Sequence, residues 1–136
     1  MINELIKLMQ NQEEDLKKLL ELLETQYKMI MSKDVFGLEG LVDKVNECAK
    51  IIAKQEKGRR DLTGNINITE IVNSSNNEEL KKAHSSIKKI LDEVKQCKDT
   101  NELLLKQQLL FTNKMINIMN PNREIKIYNS YGNLSK

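Results

Sequence analysis

Residues 77–120 read NEELKKAHSSIKKILDEVKQCKDTNELLLKQQLLFTNKMINIMN, and this segment is the strongest indication of the fold. Neither Gly nor Pro interrupts it, Asn77 can cap its start, and Pro121 follows its end. The pattern predicts one helix, which at about 1.5 Å per residue would be about 66 Å long and would need long helical partners. Its seam repeats every three or four residues: Leu80, Ala83, Ile87, Ile90, Val94, Cys97, Asn101, Leu104, Gln108, Phe111, Met115 and Ile118.

Two shorter helices are predicted before it, over about residues 2–31 and 35–62, because apolar residues recur there with the same spacing. A connection of about two to four residues makes such helices antiparallel neighbours. The first seam is Ile2, Leu5, Met9, Gln12, Leu16, Leu19, Leu23, Gln26 and Ile30, and the second is Val35, Leu38, Val42, Val45, Ala49, Ile52, Glu56 and Arg59.

Two segments of the chain interrupt this regular pattern. Gly37 and Gly40 either weaken the start of the second helix or let it approach the first helix closely. The connection over residues 64–77 is rich in Asn and Ser, and one helical turn can begin at Thr69. We expect this connection either to fold over one end of the bundle or to be partly mobile.

The composition favours an all-α fold. Among 136 residues there are 5 Gly and 1 Pro, 4% are aromatic and 31% are charged, which is typical of helical bundles. We predict an elongated antiparallel three-helix bundle or coiled coil over residues 1–120, with a protruding long third helix. Residues 121–136 are predicted to be a tail that is flexible until a partner binds.

Charge and hydropathy exclude several classes of protein. The net charge is +2 with both signs interspersed, so no nucleic-acid-binding patch is expected. The first residues do not resemble a signal peptide, and no apolar run is long enough for membrane insertion. Cys48 and Cys97 lie among apolar helical neighbours, which predicts reduced, buried thiols in a cytoplasmic protein.

The sequence carries no pattern of catalytic or metal-ligating residues. His84 is the single histidine, and neither cysteine stands at a metal-ligand spacing from it. Phosphate-binding loops, nucleophile elbows and di-iron motifs do not occur. Runs of carboxylates such as Glu13 and Glu14 have lysines three or four residues away, as solvated helix faces do. We therefore expect no enzyme activity, no metal and no cofactor.

Four polar residues occupy seam positions where apolar residues are expected: Gln12, Gln26, Asn101 and Gln108. One interpretation is that they fix helix register at a cost in stability. The other is that they bind polar groups of a partner helix. The register interpretation is preferred for Gln12 and Gln26, whereas both stay open for Gln108.

The third helix is longer than its predicted partners, so its last turns should lack cover within the chain. An apolar stripe without cover is a candidate interaction site. Methionines gather near this end, and a flexible thioether side chain suits surfaces that fit more than one partner, although ordinary core filling explains them equally well.

The order and spacing of several short patterns resemble the FlgN-type flagellar export chaperones. The resemblance rests on Gln12 to Leu23 in the first helix, on Glu56, Arg59 and Arg60 in the second, and on Asn101, Leu104 and Leu105 in the third. The ending Tyr128-Asn129-Ser130-Tyr131-Gly132 is also similar to the family's Tyr-x-x-x-Gly ending.

This resemblance implies a cytoplasmic chaperone of type III secretion in flagellum biogenesis. Its clients would be the hook-associated proteins of the hook–filament junction, whose C-terminal helices it would shield and deliver to the flagellar export apparatus. It also implies that the C-terminal third binds the client. The predicted client-binding residues are Leu104, Leu105, Gln108, Phe111, Met115, Ile116, Met119, Ile127 and Tyr128.

A second class of function uses the same stripe. A structural coiled-coil protein would self-associate through it and form a homodimer, and even a chaperone can form a weak homodimer in this way. The sequence leaves the client, the stoichiometry and the oligomeric state open.

Overall fold

A computed structural model describes residues 1–119, 127–128 and 134–135 of the chain. The described helices are α1 (Ile2–Ser32), α2 (Val35–Thr63), α3 (Ile68–Ser75) and α4 (Glu78–Met119), and two short strands follow, β1 (Ile127–Tyr128) and β2 (Leu134–Ser135). The strands pair antiparallel, with Ile127 opposite Ser135. The predicted all-α class is confirmed, and each long helix begins and ends within about two residues of its predicted bounds.

The chain divides into two compact units, Met1–Lys98 and Asp99–Lys136. α4 contributes to both, because its helical hydrogen bonding continues from Glu78 to Met119. The division into a bundle over residues 1–120 and a separate tail stays a prediction. The flexibility predicted for that tail falls mostly on residues that lie outside the described ones.

The core of the first unit is built around α1. Leu5 of α1 and Leu80 of α4 are fully buried in one cluster, which continues through Leu23 and Val94. α1 packs against both α2 and α4. The predicted seam of α1 is confirmed, since every one of its residues is buried or half-buried.

The order of contacts along α1 gives the directions of its neighbours. Gln12 bonds to Glu56, and the Cys48 thiol lies 3.5 Å from the carbonyl oxygen of Asp15, so α2 runs antiparallel to α1. The charge of Glu24, late in α1, acts on the thiol of Cys97, late in the first unit. Met9 and Gln12, in the first half of α1, line one groove together with His84 and Ile87, early in α4, so α4 runs parallel to α1.

The turn between α1 and α2 is short and capped at both sides. Lys33 adopts a left-handed conformation at φ 57°, and its N–H donates to the carbonyl of Ile30 at 3.2 Å. The Asp34 carboxylate then caps α2 by accepting from the Gly37 N–H at 2.9 Å. Two residues separate the helices, which agrees with the predicted connection of about two to four residues.

The predicted seam of α2 is partly wrong. Val35, Val42 and Ala49 are exposed, whereas Leu41 and Cys48 are buried. One residue along a helix is a rotation of about 100°, so the row facing α1 is Leu41, Cys48, Gln55 and Leu62, with Glu56 at its edge, rather than the row through Val35, Val42 and Ala49. Cys48 and Gln55 at the centre of this row are not aliphatic, so a pattern based on aliphatic residues did not identify it.

The connection between α2 and α4 contains a longer helix, α3, than the single helical turn that the sequence predicted. The Asn67 side chain caps α3 by accepting from the Thr69 N–H at 2.9 Å, and Ile71 and Val72 of α3 are buried in the core. The connection therefore folds onto the core, which was one of its two expected states. Asn77 is the N-cap of α4, as predicted, because its side chain accepts from the Leu80 N–H at 3.2 Å.

The glycines of α2 do not mediate a close approach to α1. A Cβ added at Gly37 would meet the side chain of its own cap, Asp34, and one added at Gly40 or Gly58 would meet no described atom within 4 Å. The close-approach interpretation is therefore wrong for Gly40. Gly40 and Gly58 therefore weaken α2 without allowing a closer contact.

Candidate functional site

The end of α4 carries a dense group of exposed apolar side chains. In residues 99–119, nine large apolar side chains are more than a third exposed, and these are half of all such side chains in the described part of the chain. A helix that is apolar over most of its circumference is normally buried. The nine are Leu103, Leu105, Leu109, Leu110, Phe111, Met115, Ile116, Ile118 and Met119.

These side chains are spread around the helix. At about 100° per residue, Phe111, Met115 and Ile118 fall on one narrow arc, and Leu110 lies about 100° to one side of Phe111. Ile116 lies on the opposite flank of that arc. A partner that covers all of them has to contact more than one side of α4.

Most of the predicted client-binding residues are exposed. Leu105, Phe111, Met115, Ile116 and Met119 are exposed, whereas Leu104 and Gln108 are half-buried. Ile127 and Tyr128 have a described backbone in β1, but their side chains lie outside what the structure describes. The burial of a side chain does not test whether it binds a client, so the whole set stays a prediction.

Four exposed side chains belong to the same surface but were not predicted: Leu103, Leu109, Leu110 and Ile118. The prediction followed one heptad seam and its closest neighbours. A count of apolar residues on every side of the helix, rather than on one seam, would have found them.

The part of this surface from Gln107 onward is poor in charge. Lys114 is the single charged residue from Gln107 to Met119 in the sequence. The Thr112 hydroxyl donates to the Gln108 carbonyl at 2.9 Å, a bond within the helix itself. A partner for this surface therefore gains free energy mainly from apolar contact.

The polar seam residues differ in their surroundings. Gln12 is 4% exposed, and its Nε2 donates to Oε2 of Glu56 at 3.0 Å across the α1–α2 interface. This bond fits the register interpretation for Gln12. Asn101 is buried, and Gln26 and Gln108 are half-buried, so their roles stay predictions.

Glu56 is the centre of a polar network in the first unit. Its carboxylate accepts from Gln12, from the guanidinium of Arg59 and, at 3.3 Å, from Nε of Arg60. The hydrogen bond from Arg59 lowers the pKa of Glu56 in spite of the desolvation that opposes it. The network ties α1 and α2 at one level of the bundle.

The two thiols and the histidine of the first unit have shifted pKa values. Burial raises the pKa of the Cys48 thiol, with a smaller contribution from Asp15, and burial likewise raises the pKa of Cys97. Burial lowers the pKa of His84, and the cations Lys88 and Arg59 lower it further. Both thiols are free and in their protonated, less nucleophilic form near neutral pH.

Two kinds of feature are absent from the part of the chain that the structure describes. No cluster of three or more His, Cys, Asp or Glu that could hold a metal ion was found there. Within the same residues, none of the helices has an apolar stretch of the length that crossing a membrane requires.

Comparison with known proteins gives one result. The family model described as FlgN protein matches residues 1–136. Searches of curated proteins and of solved structures found no match. Because the family match spans the whole chain, and because the fold is the helical bundle expected from the resemblance, this chain belongs to the FlgN family.

Proposed function

We propose that this protein is a cytoplasmic chaperone for hook-associated proteins of the hook–filament junction. Membership of the FlgN family implies a flagellar export chaperone in general. The proposed clients are the C-terminal helical segments of those proteins, which the chaperone shields from premature association and delivers to the export apparatus. An enzyme activity is not expected.

The observation that carries the proposal is the exposed apolar end of α4. Contiguous apolar surface on a soluble protein is typical of a protein-binding site. An amphipathic client helix can lay its apolar face along α4 and remove both stripes from water. The scarcity of charge from Gln107 to Met119 favours an apolar client face over an acidic or basic one.

The proposed mechanism is coupled folding and binding. The client segment is unfolded or weakly helical before it binds, and it gains helical structure against Phe111, Met115 and Met119. The free energy of apolar burial offsets the loss of conformational entropy, which keeps the affinity moderate and the complex releasable. No nucleotide is needed for such a cycle.

The test is a calorimetric titration of the full chain with a C-terminal fragment of a hook–filament junction protein. The altered protein carries Met115→Asp and Met119→Asp, at side chains that are 41% and 72% exposed. Fully burying a Met side chain contributes about 1.5–3 kcal/mol, so losing these two contacts costs about 2–3 kcal/mol. We expect Kd to rise by at least about 30-fold, and circular dichroism to show unchanged helicity.

A matched control places the same charges on another exposed apolar site. Val35 and Phe36, at the start of α2, are both exposed, and Val35→Asp with Phe36→Asp should leave the client affinity within about twofold of wild type. Equal client affinity in the wild type and in the Met115/Met119 variant would show that these residues are not part of the client-binding site. If the wild type does not bind the fragment, the hook–filament junction proteins are not its clients.

Self-association through the same apolar side chains is the alternative function. Light scattering of the full chain, alone and with the client fragment, separates the two. A dimer that persists at low protein concentration and does not dissociate when the fragment is added would favour a structural coiled-coil protein over a chaperone.

A further inference from the structure

An open groove of about 520 Å³ lies within the first unit, between α2 and α4. Its floor is α1, which contributes Met9, Gln12 and Leu16. Ile68, at the start of α3, lines it at one end. The volume is in the range of about 300–1,000 Å³ that binding pockets in proteins usually have.

The walls of the groove are apolar and partly small. On α2, Ala49 and Ala53 lie one helical turn apart and are both exposed. On α4, the facing residues include the buried Ile87 and the exposed Leu91. Two helices approach as closely as the side chains between them allow, so the alanines leave room for another backbone.

The groove explains why part of the predicted seam of α2 does not face α1. The row that contains Val42 and Ala49 has the spacing of a packed helix face, but this face is turned away from α1. Ala49 lines the groove instead, with Ala53 beside it. A helix-spaced small apolar row next to an open groove is the pattern expected where a further helix packs.

One end of the groove is cationic. Its ionisable lining residues are Arg59, Arg60, Lys88, His84 and the single carboxylate of Glu56, and Gln12 and Thr69 add neutral polar groups to the lining. Glu56 engages mainly Arg59, whose side chain is 17% exposed, whereas the Arg60 side chain is 75% exposed. Lys88 is exposed and forms no ion pair with any residue that the structure describes. Lys88 and the terminal nitrogens of Arg60, which contacts Glu56 through Nε, are therefore available to an incoming carboxylate.

The shape of the groove decides against a second copy of this chain as its occupant. A two-fold symmetric dimer places the same surface on both subunits. Two concave grooves facing each other would leave both unfilled. The occupant has to be convex, apolar along its length and negative at one end, as an amphipathic helix with a carboxylate in a terminal turn is.

We propose that this groove binds an amphipathic helix of a partner protein, with its aliphatic face against Ala53 and Leu91 and its acidic end beside Arg60 and Lys88. From Ala49 to Arg60 the α2 wall spans about 16 Å, which accommodates about three turns of the bound helix. The site lies in the unit Met1–Lys98, and it goes beyond the proposed client site because it uses none of the exposed residues at the end of α4.

The test uses the full chain and a synthetic, fluorescein-labelled peptide of about 14 residues, which is long enough for about four helical turns. Leucines stand at i, i+3, i+4 and i+7, and two glutamates occupy the first turn. A matched peptide has glutamines in place of the glutamates. Fluorescence anisotropy measures the affinity of each peptide. We expect saturable binding, and a Kd at least about fivefold weaker for the glutamine peptide because it lacks the paired charges.

Three variants locate the binding site. Lys88→Glu reverses a charge that lines the groove, whereas Lys89→Glu makes the same change on the neighbouring residue, which does not line it. We expect the first to weaken binding at least about tenfold and the second to leave it within about twofold. Ala53→Trp fills the groove without adding charge and should also weaken binding at least about tenfold, with helicity unchanged by circular dichroism.

Several outcomes would overturn this inference. Equal affinity for both peptides would show that charge complementarity does not contribute to binding. Wild-type affinity in Ala53→Trp would show that the peptide does not bind in the groove. Binding that is lost in the Met115/Met119 variant but kept in Lys88→Glu would place the peptide on the end of α4. Self-association that Ala53→Trp abolishes, without peptide binding, would assign the groove to a second copy of the chain.

Discussion

Replacing Glu56 by Gln tests whether the polar network holds α1 and α2 together. The carboxylate accepts from Gln12 at 3.0 Å and from the guanidinium of Arg59, and both donors are shielded from solvent. An amide of the same shape keeps an acceptor for Gln12 but removes the negative charge. The cation of Arg59 then stays largely shielded without its carboxylate.

The expected loss follows from the difference between charged and neutral hydrogen bonds. A hydrogen bond to a charged group contributes about 1.5–3 kcal/mol, against about 0.5–1.5 kcal/mol between neutral groups. Two shielded donors therefore lose about 1 kcal/mol each. Arg60 adds close to zero, because its side chain is 75% exposed and solvent screens the pair. The free energy of unfolding of Glu56→Gln should be about 2 kcal/mol below that of the wild type at neutral pH.

The loss should depend on pH in a defined direction. The pKa of Glu56 is lowered in the folded protein, chiefly by the hydrogen bond from Arg59. Its stabilisation is therefore present above the pKa of the unfolded chain and is lost as pH falls through the lower folded value. Urea unfolding followed by circular dichroism at pH 7 and at about pH 2–3 should show the difference shrinking towards zero at the acidic end.

Glu47→Gln is the matched control on the same helix. Glu47 is exposed, and its side chain forms no hydrogen bond or ion pair with the described residues, so the substitution should change stability by less than about 0.5 kcal/mol. An equal effect of the two substitutions, or a loss in Glu56→Gln that is the same at both pH values, would refute the assignment of this network to the α1–α2 interface.

Two further predictions concern the core and the groove. Leu80 is fully buried, so Leu80→Ala should lower the free energy of unfolding by about 2–5 kcal/mol in urea titrations, whereas Phe36→Ala, at an exposed position, should change it by less than about 0.5 kcal/mol. Because burial and then Lys88 lower the pKa of His84, its midpoint in an NMR titration should lie below the ordinary value of about 6.5. Lys88→Gln should raise that midpoint, and an unchanged midpoint would contradict the effect of the cation.

The sequence predicts the fold well where one face of a helix is unambiguous. In α1 the residues at spacings of three and four are mostly apolar, and Leu5, Met9 and Leu16 are buried as expected. In α2 two rows compete. Cys48 and Gln55 stand in the row that faces α1, and the competing row has the more hydrophobic Val42, so the aliphatic pattern selected the wrong rotation.

The candidate site was partly predictable for the same reason. The apolar seam of α4 continues past Leu104 to Met115, and the exposure of its last turns agrees with the excess length of that helix. Leu103 and Leu110 were missed because they lie off the seam. The groove was not predictable, because helical spacing in α2 and α4 does not reveal how far apart the two helices lie.

The glycines of α2 have a consequence for how that helix responds to a bound partner. Gly40 and Gly58 occupy helical positions where a methyl group would meet no described atom within 4 Å. Each therefore destabilises the helix by about 1 kcal/mol relative to alanine without improving a contact. α2 also buries fewer side chains than α1. Local opening should therefore cost less free energy in α2 than in α1. The wall that carries Ala53 can shift to fit helices of different thickness, while the pairing of α1 with α4 keeps the rest of the unit in place.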